Sequence, residues 1–150
     1  MASEPTKTII NNRKARYEYE LLDRYEAGIE LKGSEVKSLR DGKVNLQEAF
    51  CDVKGDRVVL LNCHIAPYTH GGYTNHEPTR PRTLLLHKKE IRKLAKAVEQ
   101  KGLTIVPTRM YFKRGWAKLE IAVARGKKLH DKRRDIAERD TKRRLDRLTK

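Results

Sequence analysis

The last 26 residues of this chain cannot build a core. From Arg125 to Lys150 there are 12 basic and 5 acidic side chains and only four large apolar ones, Leu129, Ile136, Leu145 and Leu148. Folding needs enough buried apolar surface to offset lost chain entropy, and this composition lacks it. Any compact domain must therefore come from the residues before Arg125. The segment is not patternless, however. Asp135–Arg139, Glu138–Lys142, Asp140–Arg144 and Asp146–Lys150 are acid-before-base pairs at i, i+4. Each adds about 0.2–0.5 kcal/mol to a helix. Ala137, Thr141, Leu145 and Leu148 add a thin apolar stripe. An isolated helix of this length is marginal in water. We expect a tail that is disordered alone and helical on a polyanion, with an unstructured solubility tail as the plain alternative.

The chain carries 35 Lys+Arg against 20 Asp+Glu, a formal charge of +15 over 150 residues. The tail holds net +7 of that excess, so the body is basic as well. A field of this sign draws polyanions, and nucleic acid is the commonest. A membrane surface fits less well, because no long amphipathic helix with a Leu-rich or aromatic face accompanies the cations. Apolar runs such as Val58 to Leu61 and Leu84 to Leu86 are far shorter than the ~20 residues a bilayer demands. The N-terminus lacks the pattern of a signal peptide. Two cysteines, Cys51 and Cys63, fit a reducing compartment. These points predict a cytoplasmic protein.

The body reads mainly as short strands. Tyr17, Tyr19 and Leu21 alternate with polar residues, and Ile29 and Leu31 begin a second strand after Ala27-Gly28. Residues 48–54 and 57–63 read as a hairpin turning at Gly55-Asp56. Leu103 to Phe112 and Trp116 to Val123 form another pair around Lys113-Arg114-Gly115, with Trp116, Leu119, Ile121 and Val123 on the inner face. Trp116 is out of phase with the other three. A helix is predicted from about His87 to Lys101, since Ile91, Leu94, Ala95 and Val98 fall at i, i+3, i+4, i+7 before Gly102. A shorter one runs from Ser34, as N-cap, to about Arg40. A long loop, Ala66 to Arg82, separates them. Short antiparallel strands with helices at the junctions imply a closed or partly open barrel.

Candidate binding residues follow from chemistry. Asn12 to Tyr19 mixes Arg13, Lys14 and Arg16 with Tyr17 and Tyr19. Cations hold phosphates while tyrosine faces stack on bases. The same pattern suits a strand with core tyrosines and solvated cations. The cations of the later helix, Lys88, Lys89, Arg92, Lys93 and Lys96, read as a solvated outer face. His64, His70 and His76 lie near Cys63, but only His70 and His76 come close to a zinc spacing, which is weak. No phosphate-binding glycine loop or nucleophile elbow occurs. No catalytic residue, metal or cofactor is predicted.

Five blocks in order resemble one family: NRKARYEY (12–19), EAGIELKGSEVKSLRDGK (26–43), HEPTRPRTLLLH (76–87), VPTRMYFKRGWAKLEIAVARGKKLHDKR (106–133) and DIAERD (135–140). The chain resembles the SsrA-binding protein (small protein B) family. The resemblance implies an OB-like antiparallel β-barrel with two to three helices and a basic C-terminal tail. It divides the chain into a flexible N-terminus (1–11), a barrel (12–124) and a tail (125–150). It implies no enzyme activity. Its implied partners are the tRNA-like domain of transfer-messenger RNA (tmRNA), elongation factor Tu with GTP, and the decoding centre and mRNA channel of stalled ribosomes, with alanyl-tRNA synthetase acting on the complex. A monomer is expected.

By matching motif, Asn12, Glu26 and Leu85 fall at RNA-contacting positions, joined by Arg13, Lys14, Arg16, Tyr17, Lys37 and Arg40. Many members have His where this chain has Tyr17. Gly126, Lys127, Lys128, His130, Asp131, Lys132, Arg133 and Arg134 match the channel-binding tail. Two other readings stay open: a ribosome-associated protein that binds rRNA, and a small metal-free ribonuclease using His.

Overall fold

The computed structural model describes residues 5–68 and 75–126. The elements are β1 (Thr6–Asn11), α1 (Arg13–Glu18), β2 (Tyr19–Ile29), α2 (Gly33–Arg40), β3 (Val44–Asn45), β4 (Phe50–Lys54), β5 (Arg57–Leu61), β6 (His64–Ile65), β7 (Arg82–Leu85), α3 (Lys88–Lys101), β8 (Thr104–Lys113) and β9 (Trp116–Gly126). Seven strands form one sheet in the order β1-β8-β4-β5-β7-β2-β9, and β9 also pairs with β8. Every pairing is antiparallel. A separate two-stranded ladder joins β3 to β6.

Alternation decides what each strand buries. In β9, Leu119, Ile121 and Val123 enter the core, and in β8 Ile105 and Met110 do the same. In β2 the inward set is Tyr25, Ala27 and Ile29. Leu94 of α3 is fully buried, with Ile91, Ala97 and Val98 packed around it. Ile91, Leu94 and Val98 belong to the predicted apolar face, whereas Ala97 packs on the core where Ala95 was expected. Gly102 ends α3 with φ +62°, a left-handed conformation that glycine adopts without Cβ strain. The β8–β9 hairpin turns through Arg114 (φ 52°) and Gly115 (φ 77°). Two positive φ values in a two-residue loop are the type I′ geometry that matches strand twist.

Several expectations need correction. Residues 13–18 are helix, not strand. Asn12 caps them by accepting the Ala15 N–H at 3.2 Å, and Ala15 buries against Val106 and Ala124. A cap and one buried alanine override a brief tyrosine alternation. β2 is continuous through Ala27-Gly28. Gly28 lies within the strand, and Leu85 of β7 passes so close that a Cβ there would lie 3.2 Å from Leu85 Cβ. Part of the lead-in expected to be flexible is β1, held on β8. β9 runs to Gly126, two residues past the expected barrel boundary, pairing Arg125 with Glu20 and Gly126 with Tyr19. Trp116 faces outward and is 73% exposed. Ser34 is not the α2 cap. Its hydroxyl lies 2.9 Å from His76 Nδ1 instead, and the Glu35 carboxylate accepts the Lys32 N–H at 2.7 Å.

A buried polar cluster ties α2 to the approach to β7. Glu35 and Arg82 are both fully buried. Arg82 Nε donates to Glu35 Oε2 at 2.5 Å, while its other nitrogens reach the carbonyls of Cys63 at 2.7 Å and Pro78 at 3.0 Å. Arg80 Nη2 donates to Glu35 Oε1 at 2.5 Å. Burial pushes the Glu35 carboxyl up, but hydrogen bonds from Arg80, the Lys32 amide and Arg82 outweigh it and hold the group below the ordinary carboxylate range. His76 is also buried, with Nε2 2.8 Å from the Ile65 carbonyl.

Candidate nucleic-acid interface

Where alternation sends one set of β2, β8 and β9 side chains inward, the other set forms an outer face. On β9 that set is Trp116, Lys118, Glu120, Ala122 and Ala124. Eight residue steps at ~3.3 Å give this face a length of about 26 Å. Bulges between Leu21 and Arg24, and between Pro107 and Arg109, reset the phase of the flanking strands. They bring Arg24 and Glu26 outward on β2, and Arg109, Tyr111 and Lys113 outward on β8.

Glu26 sits at the middle of the face. It accepts hydrogen bonds from the Tyr111 hydroxyl and, at 3.3 Å, from Lys113 Nζ. The Tyr111 bond, aided by Lys113 and Lys118 and opposed by partial burial, holds the Glu26 carboxyl below the ordinary carboxylate range. Burial and the Glu26 carboxylate together push the Tyr111 hydroxyl well above its ordinary value. Glu26 is thus a fixed anion and Tyr111 a fixed donor. The Arg109 guanidinium lies 4.3 Å from the Tyr111 ring centroid. Arg109 also approaches Glu120 at 3.8 Å, and Arg24 approaches the same carboxylate at 3.9 Å. Thr108 donates to Glu120 at 2.6 Å. Cations and acids alternate here, each acid pinned by neighbours. Such a surface meets phosphates and also offers oriented acceptors to sugar hydroxyls or base amines.

The face has two different ends. At one, α1 lies over Val106 and Ala124 and presents Arg13, Arg16 and Tyr17. Asn12 is only 3% exposed, and its side-chain amide donates to the carbonyls of Leu46 at 3.1 Å and Pro107 at 2.8 Å. With its oxygen on Ala15, Asn12 has no group turned to a partner; it anchors the helix that does. Lys14 is held by Glu48 at 2.5 Å. At the other end, Leu85 (54% exposed) lies opposite Gly28, beside Trp116 and Lys118.

The structure therefore joins Glu26, Leu85 and the α1 cations on one side. It does not bring Lys37 and Arg40 into that row. Lys37 Nζ lies 5.6 Å from the Tyr68 ring centroid, at a loop neck closed by mutual Tyr68–Asn75 hydrogen bonds. Arg40 lines a different cleft with Lys7 and Phe112. Gly126 ends β9, while Lys127, Lys128, His130, Asp131, Lys132, Arg133, Arg134 and the tail helix lie outside the described residues. Arg109, Lys113, Lys118, Glu120 and Trp116, which share this face, and Tyr111, which is only 2% exposed beneath Arg109, were not singled out from sequence as binding residues. The phase mismatch between Trp116 and Leu119 was the available signal, because an odd step along a strand changes face.

Among the described residues, no group of three or more His, Cys, Asp or Glu side chains is placed to hold a metal. Cys51 and Cys63 are buried, and burial pushes the Cys63 thiol up to about 11. No helix of the described residues is long and apolar enough to cross a membrane.

Known proteins are similar to this chain in sequence and fold. A family model described as SmpB protein matches residues 9–150. An SsrA-binding protein of Trichodesmium erythraeum is 55% identical over 150 residues, covering 99% of this chain and 96% of the relative. One from Desulforudis audaxviator is 53% identical over 150 residues, covering 100% of this chain and 98% of the relative. A solved structure described as "tmRNA-SmpB: a journey to the center of the bacterial ribosome" superposes with a TM-score of 0.68 at 54% identity, covering 80% of this chain and 85% of that one. By matches that run nearly end to end, the chain belongs to the SmpB, or SsrA-binding protein, family.

Proposed function

We propose that this chain is an adaptor for trans-translation. It binds the tRNA-like domain of tmRNA and, with elongation factor Tu and GTP, delivers the alanylated RNA to ribosomes stalled without a stop codon. The observation that carries this reading is the outer face of β2, β8 and β9. Its pinned Glu26 sits between α1 cations at one end and Leu85 at the other, in a chain that belongs to the SmpB family throughout. A folded RNA is held by such a face through shape, phosphates and sugar hydroxyls.

The strand pairings support a finer description of the scaffold. They pass from β8 to β4, β5, β7, β2 and β9, and β9 pairs again with β8. We read that circuit as an OB-like closed barrel, with β1 added at its side. Closure removes the edges of the six strands and makes the outer face rigid. In this reading Asn12 acts by fixing α1, Glu26 accepts from a base amine or ribose hydroxyl, and Leu85 gives apolar contact.

The tail has a separate task. Its cations suit the rRNA-lined channel left empty by missing mRNA, where neutralisation allows its i, i+4 pairs to order a helix. Lys127, Lys128, His130, Asp131, Lys132, Arg133 and Arg134 are the residues proposed for that path.

The deciding experiment titrates full-length protein with the isolated tRNA-like domain in the presence of excess elongator tRNA. Selective binding, weakened by Glu26→Ala and less by Glu26→Gln, is the expected outcome. Binding no tighter than to tRNA, or unaltered by both substitutions, overturns the reading.

A further inference from the structure

Trp116 is the chain's single tryptophan and the most exposed large apolar side chain among the described residues, at 73%. Burying an indole is favourable, so a Trp held in water on a rigid strand is unusual. It stands at the mouth of the type I′ turn at Arg114-Gly115, which fixes its direction. Beside it is a cleft of about 460 Å³ lined by Gly28, Val36, Leu85, Trp116 and Lys118. Leu85, the other strongly exposed apolar residue of this end, forms a second wall at 54% exposure. Gly28 keeps the floor low: a Cβ there would press on Leu85 at 3.2 Å.

Two apolar walls over a bare backbone floor fit a flat aromatic ring. The rim adds charge. Lys118 is two residues along the strand from Trp116, about 6.6 Å by strand rise, and lies on the same face. One acid, Glu30, also lines the cleft and suits an amino edge. A flat ring bearing an amine, with an anion a short tether away, is a nucleotide. The cleft is continuous with the Glu26 face, since Gly28 and Lys118 are the next outward residues after Glu26 and Glu120.

We propose that Trp116 and Leu85 clamp one unstacked nucleotide of the bound RNA, its base on the indole and its phosphate toward Lys118. This rests on the RNA reading above and adds a base-stacking subsite to it. Aromatic stacking on a base is sequence-tolerant, so the subsite selects RNA shape, meaning a base splayed out at that place, over base identity.

The single Trp makes the test direct. Full-length protein is saturated with the tRNA-like domain of tmRNA while indole emission and its quenching by acrylamide are followed. Emission should change on binding and acrylamide access should fall. Trp116→Ala should bind about 5- to 150-fold more weakly, the range for losing one stacked base. Trp116→Phe should recover most of the loss. Because Trp116 is exposed, circular dichroism of both variants should match the parent. If the RNA binds but emission and acrylamide access do not change, or Trp116→Ala binds like the parent, the clamp is overturned while the RNA reading stands. If the parent chain does not bind this RNA, both fall.

Discussion

Replacing Glu35 by Gln removes one charge and almost no volume, so its cost isolates the buried cluster beneath α2. The Glu35 carboxylate accepts from the Lys32 amide, from Arg80 and from Arg82. Arg82 is fully buried and its remaining hydrogen bonds go to neutral carbonyls. The amide keeps one acceptor and turns an NH₂ toward at least one guanidinium, leaving the Arg82 charge uncompensated. Breaking a buried pair in this way costs about 3–5 kcal/mol. At ~4 °C per kcal/mol for a domain of this size, Tm falls by about 12–20 °C. Scanning calorimetry of parent and variant near pH 7 measures it, and a fall under about 4 °C would refute the argument.

The pH dependence gives an independent check on the same pair. Glu35 titrates below its unfolded value, so its stabilisation is complete above the ordinary carboxylate range, near 4.3, and is lost as pH falls through the lower, folded value. The gap between parent and variant should be flat from pH 8 to about 5 and should narrow in more acid solution. Adding Arg82→Met to Glu35→Gln should recover part of the loss, because the stranded cation is then gone. The cluster also sets the start of β7, three residues before Leu85. Glu35→Gln should therefore weaken RNA binding although no residue of the cluster lies on the outer face.

Other expectations follow from the same geometry. Asn12→Ala removes a helix cap and leaves the Leu46 and Pro107 carbonyls without that donor. It should lower stability by about 2–3 kcal/mol in urea titration, and an unchanged midpoint would show that α1 needs no anchor. Tyr111→Phe should raise the Glu26 carboxyl toward its ordinary value, since the Tyr111 hydroxyl is the main cause lowering it; carboxyl-detected NMR titration reads this. Truncation after Gly126 should retain affinity for the tRNA-like domain and abolish tagging on stalled ribosomes, whereas equal loss of both would end the division of labour. Lys132→Ala with Arg133→Ala should impair tagging most at low salt, and the gap to the parent should narrow as salt rises, because the variant has fewer ion contacts left to screen.

Local chemistry was legible in the sequence wherever one short segment carries its own instruction. The apolar face of α3 and its Gly102 stop, the Gly55 and Arg114-Gly115 hairpins and the core-poor tail composition belong to that kind, as do the family blocks. Glu26 and Leu85 are proposed contacts that come from those blocks, not from spacing. Tertiary structure decided the rest, because it depends on partners distant in the chain. Ala15 becomes helical on reaching Val106 and Ala124, about a hundred residues away. Asn12 turns from a candidate contact into a buried anchor through carbonyls at Leu46 and Pro107. Two bulges select which side chains of β2 and β8 join the outer face, and a shift of one residue reverses a strand's faces. Charge and periodicity are sums over neighbours in sequence, whereas a binding face is assembled from strands that meet only in the folded chain.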